Sequence, residues 1–222
     1  EELPAAWTDS CAGKTRGYNV VCALADVVNA LANSIKADLV MYDVGPNVGA
    51  LNRTVILDCD YFITPVAADL FSLRALSTVG RSVARWVRDW GTVRELANDS
   101  DRARLLAGEP KYLGYVASAF KVSSGLRKAH PHSYWEAKMP QRVTKRVVDE
   151  LRAISPKLVP NAGNNKVGDV KHFHSLAASA QETGLAIGNL RGHVNSGHYP
   201  QVDEAKDEFA ALAKEIAKRA KL

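Results

Sequence analysis

The sequence predicts an α/β fold in which helices cover both faces of a mostly parallel sheet, giving three layers. Leu39–Tyr42 and Tyr61–Val66 are apolar runs without polar alternation, a pattern typical of strands buried on both faces. Around these runs, apolar residues recur at helical spacing, as in Tyr18–Ile35. Strands that alternate with helices favour a parallel sheet, and right-handed crossovers then place helices on both of its faces.

Local patterns predict the elements of the first half of the chain. The first helix, Tyr18–Ile35, has one apolar face: Val21, Leu24, Ala25, Val28, Leu31 and Ile35. A short helix over residues 50–57 follows the strand Leu39–Tyr42. The next strand contains Pro65, which is tolerated best at a strand end. Asp69 or Ser72 can then cap a long helix, and its apolar face consists of Leu76, Val79, Val83, Val87 and Trp90.

The second half begins with a polar surface segment over residues 98–110 and a third strand, Tyr112–Ala117. Residues 121–140 mix glycine, histidine, proline and aromatic residues, which predicts a long loop. The remaining predicted elements are a basic helix over 141–154, a brief strand at 158–159, a helix over 169–183 that ends at Gly184, an edge strand over 185–187 and a closing helix over 203–221.

Composition narrows the class of protein. The chain has 222 residues, enough for one large domain, and no apolar stretch of the length of a membrane span. Its three cysteines lack metal-ligand spacing, which indicates a reducing cytoplasm. The net charge of +5 is compatible with attraction to nucleic acid or an anionic surface, but is specific for neither.

The strand Leu39–Tyr42 leads into a candidate site. Asp43 follows it at once, and Gly45, Pro46 and Asn47 then end the strand. Doubly wound sheets place ligands at the carboxyl ends of their strands, where an aspartate can hold magnesium beside phosphate oxygens. The alternative is an aspartate that caps the next helix, and this stretch alone gives no preference between the two.

Cys11–Thr15 ends in Gly-Lys-Thr, the tail of a phosphate-binding P-loop. The complete pattern needs a glycine at position 8, where this chain has Thr8, and a strand leading in. Leu3–Ser10 contains Pro4 and no strand-like run. An ordinary loop before a helix is therefore the favoured interpretation.

Four blocks in order resemble the ParA/MinD family of P-loop ATPases. Tyr42–Arg53 is similar to the family's Walker B strand and the loop after it. The other three blocks resemble later motifs of the family: Cys59–Leu76 with its Thr-Pro-Val and Asp-Leu-Phe-Ser-Leu, Leu113–Val116 with Leu-Gly-Tyr-Val, and Val170–Glu182 with His-Phe-His-Ser-Leu and Ala-Gln-Glu. The resemblance extends from about residue 36 to the end of the chain.

The resemblance implies a P-loop NTPase-like fold and a dimeric switch driven by ATP and Mg²⁺. Such a protein acts in DNA partitioning or in positioning a cargo, binds DNA without sequence preference and is stimulated by a partner protein. Asp43 would hold magnesium through a water, the loop after it would sense the γ-phosphate, and Ser118 and Pro160 would lie near the base. The implied nucleotide-binding positions are Asp43, Gly45, Pro46, Asn47, Ser118 and Pro160.

The family's amino-terminal strands and phosphate loop have no counterpart here. We therefore expect a single domain in which residues 1–17 are a loop remnant and residues 18–222 form the ParA-like core. In the family, a strand lies between those corresponding to Leu39–Tyr42 and Tyr61–Val66. Without it, these two strands must pair directly or leave a gap. The intact protein would be an ATPase, and this chain alone would be inactive.

Two basic stripes suggest a nucleic-acid surface. One is Arg74, Arg81, Arg85 and Arg88; the other is Arg142, Lys145, Arg146 and Arg152. Lysine and arginine neutralise phosphates, and the resemblance points to Arg142, Lys145 and Arg146 as DNA-binding residues. A solvated charged face is the favoured interpretation of either stripe alone. The pairs His130/His132 and His172/His174 lack a third ligand, so structural or surface histidines are favoured over a metal site.

A function of a different class stays open. The chain could be naturally short and act as a non-catalytic DNA-binding or protein-interaction module. Binding of ATP to this polypeptide, compared with binding to a version extended upstream, distinguishes the two.

Overall fold

A computed structural model describes residues 2–45, 47–120, 130–161 and 163–222. Its helices and strands, in chain order, are α1 (Glu2–Cys11), α2 (Thr15–Ile35), α3 (Ala50–Asp58), β1 (Tyr61–Ala67), α4 (Leu70–Leu96), α5 (Asp99–Arg102), β2 (Lys111–Phe120), α6 (His130–Val143), α7 (Asp149–Arg152), β3 (Lys166–Lys171), α8 (Ser175–Thr183) and α9 (Tyr199–Ala220). A π-helical turn, Thr144–Val148, joins α6 to α7, and 3₁₀ turns cover Pro156–Leu158, Ile187–Asn189 and Ser196–His198.

The contacts divide the chain into two compact units, a finer division than the single domain predicted from sequence. The first unit takes its described residues from Glu1–Phe62, Ser77–Tyr112 and Lys145–Pro160. The second unit takes them from Ile63–Leu76, Leu113–Thr144 and Asn161–Leu222.

The protein has an α/β fold with a three-stranded parallel sheet in the order β1-β2-β3. Tyr115 lies opposite Lys166 and Ser118 opposite Val170. Gly114 has φ +128°, and a Cβ built there would lie 2.1 Å from the carbonyl oxygen of Asn165. Tyr115 donates its backbone N–H to that same oxygen at 2.8 Å. The close approach of β2 and β3 therefore requires glycine at position 114.

β2 carries the longest buried apolar run of the sheet. Its side chains from Tyr112 to Ala117 are buried, which confirms the strand predicted there. β1 confirms the strand predicted over Tyr61–Val66. Both strands have hydrogen-bonded neighbours, so their backbone groups are satisfied while their side chains leave water.

In the second unit, α9 packs on β3 and on a small apolar core. That core consists of Phe173, Leu176, Leu190, Val202 and Ala205. The guanidinium of Arg219 donates to the carbonyls of Leu113 (3.0 Å), Asn164 (3.1 Å) and Lys166 (2.7 Å), and its Nε donates to Glu215 at 2.7 Å. Arg219 thus ties the carboxyl-terminal helix to backbone groups of β2 and β3.

In the first unit, Trp90 on α4 is fully buried and donates its indole N–H to the carbonyl of Leu106 at 3.0 Å. Trp7 of α1 stacks on it with ring centroids 5.3 Å apart. Gly80 lets α4 approach the π-helical turn, because a Cβ there would lie 1.7 Å from the carbonyl oxygen of Arg146. Close backbone contact therefore holds the π-helical turn Thr144–Val148, which carries Lys145 and Arg146, against α4.

The predicted strand Leu39–Tyr42 is wrong. Residues 39–45 form no regular secondary structure, and the side chains of Leu39 and Met41 are 61% and 83% exposed. A parallel strand needs hydrogen-bonding neighbours at its edges, and no described strand pairs with this segment. Neither the expected direct pairing with β1 nor a gap between two strands is therefore present in the described sheet.

Other predicted boundaries are also wrong. Residues 1–17 are not a loop remnant, because Glu2–Cys11 is helical, with Pro4 in the first turns where proline is tolerated. Residues 158–159 and 185–187 form no strands. β3 occupies Lys166–Lys171, so α8 begins at Ser175 and not at Asp169. His130–Pro140 is helical where a loop was predicted, and residues 121–129 lie outside the described residues.

Candidate functional site

Gly45 and Asn47 are both bound by the side chain of Asn52. The amide of Asn52, on the first turn of α3, donates to the carbonyl oxygens of Gly45 (2.6 Å) and Asn47 (2.8 Å). Asn47 closes the loop further, because its side-chain oxygen accepts the backbone N–H of Gly49 at 2.9 Å. Asn52 is only 8% exposed, so these bonds are shielded from water. Pro46 lies outside the described residues.

Sequence reasoning missed Asn52. Its signal was an asparagine at the third position of a helix that follows a Gly-Pro-Asn-Val-Gly loop. A side-chain amide placed there can replace the donors that a folded-back loop needs for its carbonyls. Asn52 therefore links Gly45 and Asn47 to α3.

Asp43 is exposed and lies two residues before the loop. It does not cap α3, because the N-cap of that helix is Gly49, which has no side-chain hydrogen bond. The helix-cap interpretation of Asp43 is therefore wrong. The described residues contain no group of three or more His, Cys, Asp or Glu side chains able to hold a metal. Asp43 could contribute one carboxylate to a magnesium site, and the rest of that site would need other groups.

Tyr42, next to Asp43, anchors the exposed segment. Its hydroxyl donates to the Asp58 carboxylate at 3.1 Å. Burial, together with the neighbouring charge of Asp58, raises the pKa of Tyr42 to about 12. Burial also raises the pKa of Asp58 and raises the pKa of the Cys59 thiol to about 11. The segment before Asp43 is thus fixed at its end and exposed along its apolar part.

Ser118 and Pro160 stand elsewhere in the chain. Ser118 is half-buried near the carboxyl end of β2, and Pro160 is exposed after the 3₁₀ turn at Pro156–Leu158. No hydrogen bond between described residues joins either of them to Asn47. The structure brings Gly45, Asn47 and Asn52 together, and the complete set of nucleotide-binding positions stays a prediction.

Cys11–Thr15 does not form a phosphate cradle. Helix α1 leads into it where a P-loop requires a strand, and α2 starts at Thr15. Lys14, which would reach the phosphates, forms an ion pair with Asp9 at 2.8 Å. The P-loop interpretation of Cys11–Thr15 is therefore excluded, and an ordinary connection between two helices is correct.

Next to Asn52, Arg53 stacks between two tryptophans. Its guanidinium carbon lies 4.3 Å from the ring centroid of Trp7 and 5.8 Å from that of Trp86. Its Nε is buried without a hydrogen-bond partner. Burial and the positive charge of Arg85 lower the pKa of Arg53. Cation–π contact with the two rings therefore helps to hold α3 against α1 and α4.

The three predicted DNA-binding residues share an exposed helical surface. Arg142, Lys145 and Arg146 are exposed, while the buried face of the same turns consists of Val143, Val147 and Val148. Arg74, Arg81, Arg85, Arg88 and Arg152 are exposed as well. Both stripes therefore face solvent.

The histidine pair on the loop after β3 is a local contact. The rings of His172 and His174 lie 4.6 Å apart, and the backbone N–H of His174 donates to Nδ1 of His172 at 3.0 Å. The side chains of His130 and His132 lie outside the described residues. No described metal cluster includes these histidines.

No family model and no curated protein matches this sequence. A solved structure does. The fold is similar to that of protein DIP2308 from Corynebacterium diphtheriae, with a TM-score of 0.60 and 21% sequence identity over 98% of this chain. At this identity the likeness shows the α/β fold alone. The chain spans 60% of the length of DIP2308, so its fold corresponds to part of that structure.

One described helix, α2, is long and apolar enough to cross a membrane by length and composition. Tyr18, Val21, Cys22 and Ala25 are buried in the first unit, where α2 packs on α1. A helix that packs in this way is weak evidence for a span, so the described residues contain no clear membrane span.

Proposed function

We propose that this chain is the carboxyl-terminal part of a ParA-like ATPase, a dimeric ATP-dependent switch that acts in DNA partitioning or in positioning a cargo. The observation that carries the proposal is the loop Gly45–Asn47. It directly follows an apolar segment and an exposed Asp43, and it is held through its carbonyls by Asn52. Because Asn52 binds the loop through carbonyl oxygens, the exposed carboxylate of Asp43 stays available to a ligand.

The proposal assigns a limited role to this chain. Asp43 contributes a carboxylate for Mg²⁺ and the loop contacts the terminal phosphate of ATP. By resemblance, Ser118 and Pro160 are further nucleotide-binding positions. The phosphate cradle comes from residues upstream of this chain. Because phosphoryl transfer depends on positioning and charge neutralisation, the chain alone does not hydrolyse ATP.

The switch acts in the cytoplasm as a homodimer that ATP closes. In its closed form it binds DNA or a partner protein, which stimulates hydrolysis and so releases the complex. Such a cycle needs a surface for non-specific DNA, and the exposed residues Arg142, Lys145 and Arg146 provide one.

The test compares this chain with a version extended upstream in its reading frame. We expect the extended protein to bind and hydrolyse ATP with Mg²⁺ and this chain to do neither. In the extended protein, Asp43→Asn should lower kcat at least roughly tenfold. Asp38→Asn, which changes an exposed aspartate on the same segment, is the matched control and should leave kcat unchanged.

Two outcomes would overturn the proposal. One is an extended protein that neither binds nor hydrolyses ATP. The other is turnover by this chain alone that Asp43→Asn abolishes, because the site would then be complete without upstream residues.

The exposed basic turn favours a second candidate function, a non-catalytic DNA-binding module. Changing Arg142, Lys145 and Arg146 to Ala should weaken binding to all duplexes alike and reduce the slope of log K against log[salt] by about 2 to 3. The control replaces three exposed lysines of α9, Lys206, Lys214 and Lys218, which changes the net charge equally. DNA binding by a protein that binds no ATP in either version favours the module over the switch.

A further inference from the structure

The first unit contains a cavity of about 620 Å³ that the proposed function does not use. Its walls are the second half of α4, the segment before β2 and the 3₁₀ turn at Pro156–Leu158. Lys111, which opens β2, lies on its lining, whereas Ser118 lies near the other end of that strand. The volume is in the range of ordinary small-molecule sites.

The lining is strongly cationic. It contains five basic side chains, Arg88, Arg94, Arg102, Lys111 and Lys157, and two acidic ones, Glu95 and Glu109. Five positive charges less two negative charges leave a net charge of +3 on the lining. A concave surface of one sign focuses its potential and attracts ions of the opposite charge.

Two of the arginines are fixed by backbone carbonyls. Arg94 donates Nη1 to the carbonyls of Leu105 (3.1 Å) and Leu106 (2.6 Å). Arg102 donates Nε to the carbonyl of Arg94 (2.8 Å) and Nη2 to that of Ala97 (2.7 Å). Carbonyl dipoles hold these guanidinium groups in place without neutralising their charge. Within the described part of the chain, the fully exposed Asp99 is the carboxylate that pairs with Arg102, at 3.3 Å.

The remaining basic side chains of the lining are Arg88, Lys111 and Lys157. Among the described residues, Arg88, Lys111 and Lys157 form no ion pair. The ammonium of Lys111 lies 5.3 Å from the ring centroid of Tyr61, and Arg88 and Lys157 are exposed. They can turn toward a ligand at little cost, because no existing ion pair must be broken.

The lining also has an apolar wall. Val87 and Leu158 are buried beside Gly91 and the half-buried Ile154. Such a wall accepts an apolar or ring-shaped group, while the cations take its charged end.

We propose that this cavity binds a small molecule that carries phosphate groups. Arginine forks and lysine ammonium groups together are the usual ligands of phosphate in proteins, and a net charge of +3 suits a multiply charged anion. A small molecule fits better than a nucleic-acid backbone because the cations surround a concave cavity. The exposed basic turn Arg142–Arg146 is a separate surface.

Pyrophosphate is the probe, titrated into the full chain and followed by calorimetry. We expect saturable binding that weakens as NaCl increases, since ions screen the lining. The double variant Arg88→Ala/Lys157→Ala should weaken binding at least roughly tenfold. The double variant Lys206→Ala/Lys214→Ala removes the same charge from exposed sites on α9 and should bind as the wild type does. Thermal melting without ligand checks that both variants fold.

The proposal is overturned if the wild type does not bind pyrophosphate up to about 10 mM. Equal weakening in the two double variants would also overturn it, because net charge alone would then explain binding. So would duplex DNA that binds through Arg88 and Lys157 when pyrophosphate does not. None of these results bears on the ATPase proposal, which rests on Asp43 and Asn52.

Discussion

Two segments of this chain are both apolar without polar alternation, yet they have opposite environments. Leu39-Val40-Met41 is exposed and has no regular structure, whereas Leu113–Ala117 is the buried centre of β2. Both are runs without polar alternation, which predicts a strand covered on both faces. The difference is hydrogen bonding at the edges: β2 lies between β1 and β3, and the first segment has no described strand beside it. An apolar run becomes a strand only where neighbouring strands satisfy its backbone.

The largest effect is expected from a substitution in the buried segment, β2. Gly114→Val places a side chain 2.1 Å from the carbonyl oxygen of Asn165, at a φ of +128° that valine does not tolerate. We expect a loss of more than about 3 kcal/mol in the free energy of unfolding, measured in urea. Gly163→Val is the control, because Gly163 also has positive φ but no atom within 4 Å of its Cβ position. A similar loss in both variants would assign the effect to backbone strain and not to the contact of β2 with β3.

The second effect compares the two segments directly. Leu113 is 2% exposed and Leu39 is 61% exposed. Leu113→Ala should cost about 2–5 kcal/mol, because it leaves a cavity in the core. Leu39→Ala should change stability by less than about 0.5 kcal/mol. Urea denaturation of both variants tests the pair. Equal losses would mean that Leu39 is buried in solution and that the two environments are alike.

Asn52→Ala tests the anchor beside the exposed segment. The substitution removes the side-chain donor from the Asn47 carbonyl and leaves the Gly45 carbonyl with the Asn47 N–H alone, so we expect a loss of about 1–2 kcal/mol in the free energy of unfolding. Hydrogen exchange should increase at the amides of Asn47 and Gly49 and stay unchanged in β2. Asn33→Ala, which removes an exposed asparagine side chain from α2, is the control. Unchanged exchange in the loop would show that Asn52 does not hold it.

Tyr42→Phe should have a smaller effect that depends on pH. The folded-state pKa of Tyr42 is about 12, raised from 10.0, so the folded state holds the phenol proton more tightly than the unfolded state. This stabilisation is complete below pH 10 and is lost as pH rises toward 12. We expect Tyr42→Phe to cost about 1 kcal/mol at pH 7, and this gap to narrow above pH 10. Urea denaturation at pH 7, 10 and 11 measures it, and a constant gap would contradict the coupling.

The smallest expected effect on stability concerns Met41→Ser. The side chain of Met41 is 83% exposed, so stability should change by less than about 0.5 kcal/mol. Self-association should decrease, because an exposed apolar segment with free backbone groups recruits other chains. Sedimentation velocity at several concentrations measures this. A wild type that is a monomer at every concentration would contradict self-association through the exposed segment.

Sequence patterns predicted correctly those strands and helices whose apolar residues are buried. β1 and β2 were predicted close to their observed bounds and α4 close to its observed start, because strand runs and helical spacing report burial directly. The same pattern gave a wrong strand at Leu39–Tyr42, since burial there depends on a partner that the pattern does not encode. Glu2–Cys11 was missed as a helix because its proline reads as a loop signal.

The candidate site and the cavity differ in how far they could be predicted from the sequence. Asp43, Gly45 and Asn47 lie close in sequence, so their neighbourhood was predictable. The role of Asn52 depends on which way an amide points in the folded helix. The cavity joins residues 87–95, 102–111 and 154–158, whose proximity arises only from packing within the first unit. No local sequence pattern predicts that these three segments lie next to one another.

The bonds of Asn52 also determine how the loop tolerates mutation. Both of its bonds go to main-chain oxygens, so they do not depend on which side chains occupy positions 45 and 47. The link between the loop and α3 is thus encoded five residues beyond Asn47, on a helix, and substitutions at positions 45 and 47 leave its acceptors in place. The bond from the Gly49 N–H to the Asn47 side chain is the part of the loop shape that changes with the residue at position 47.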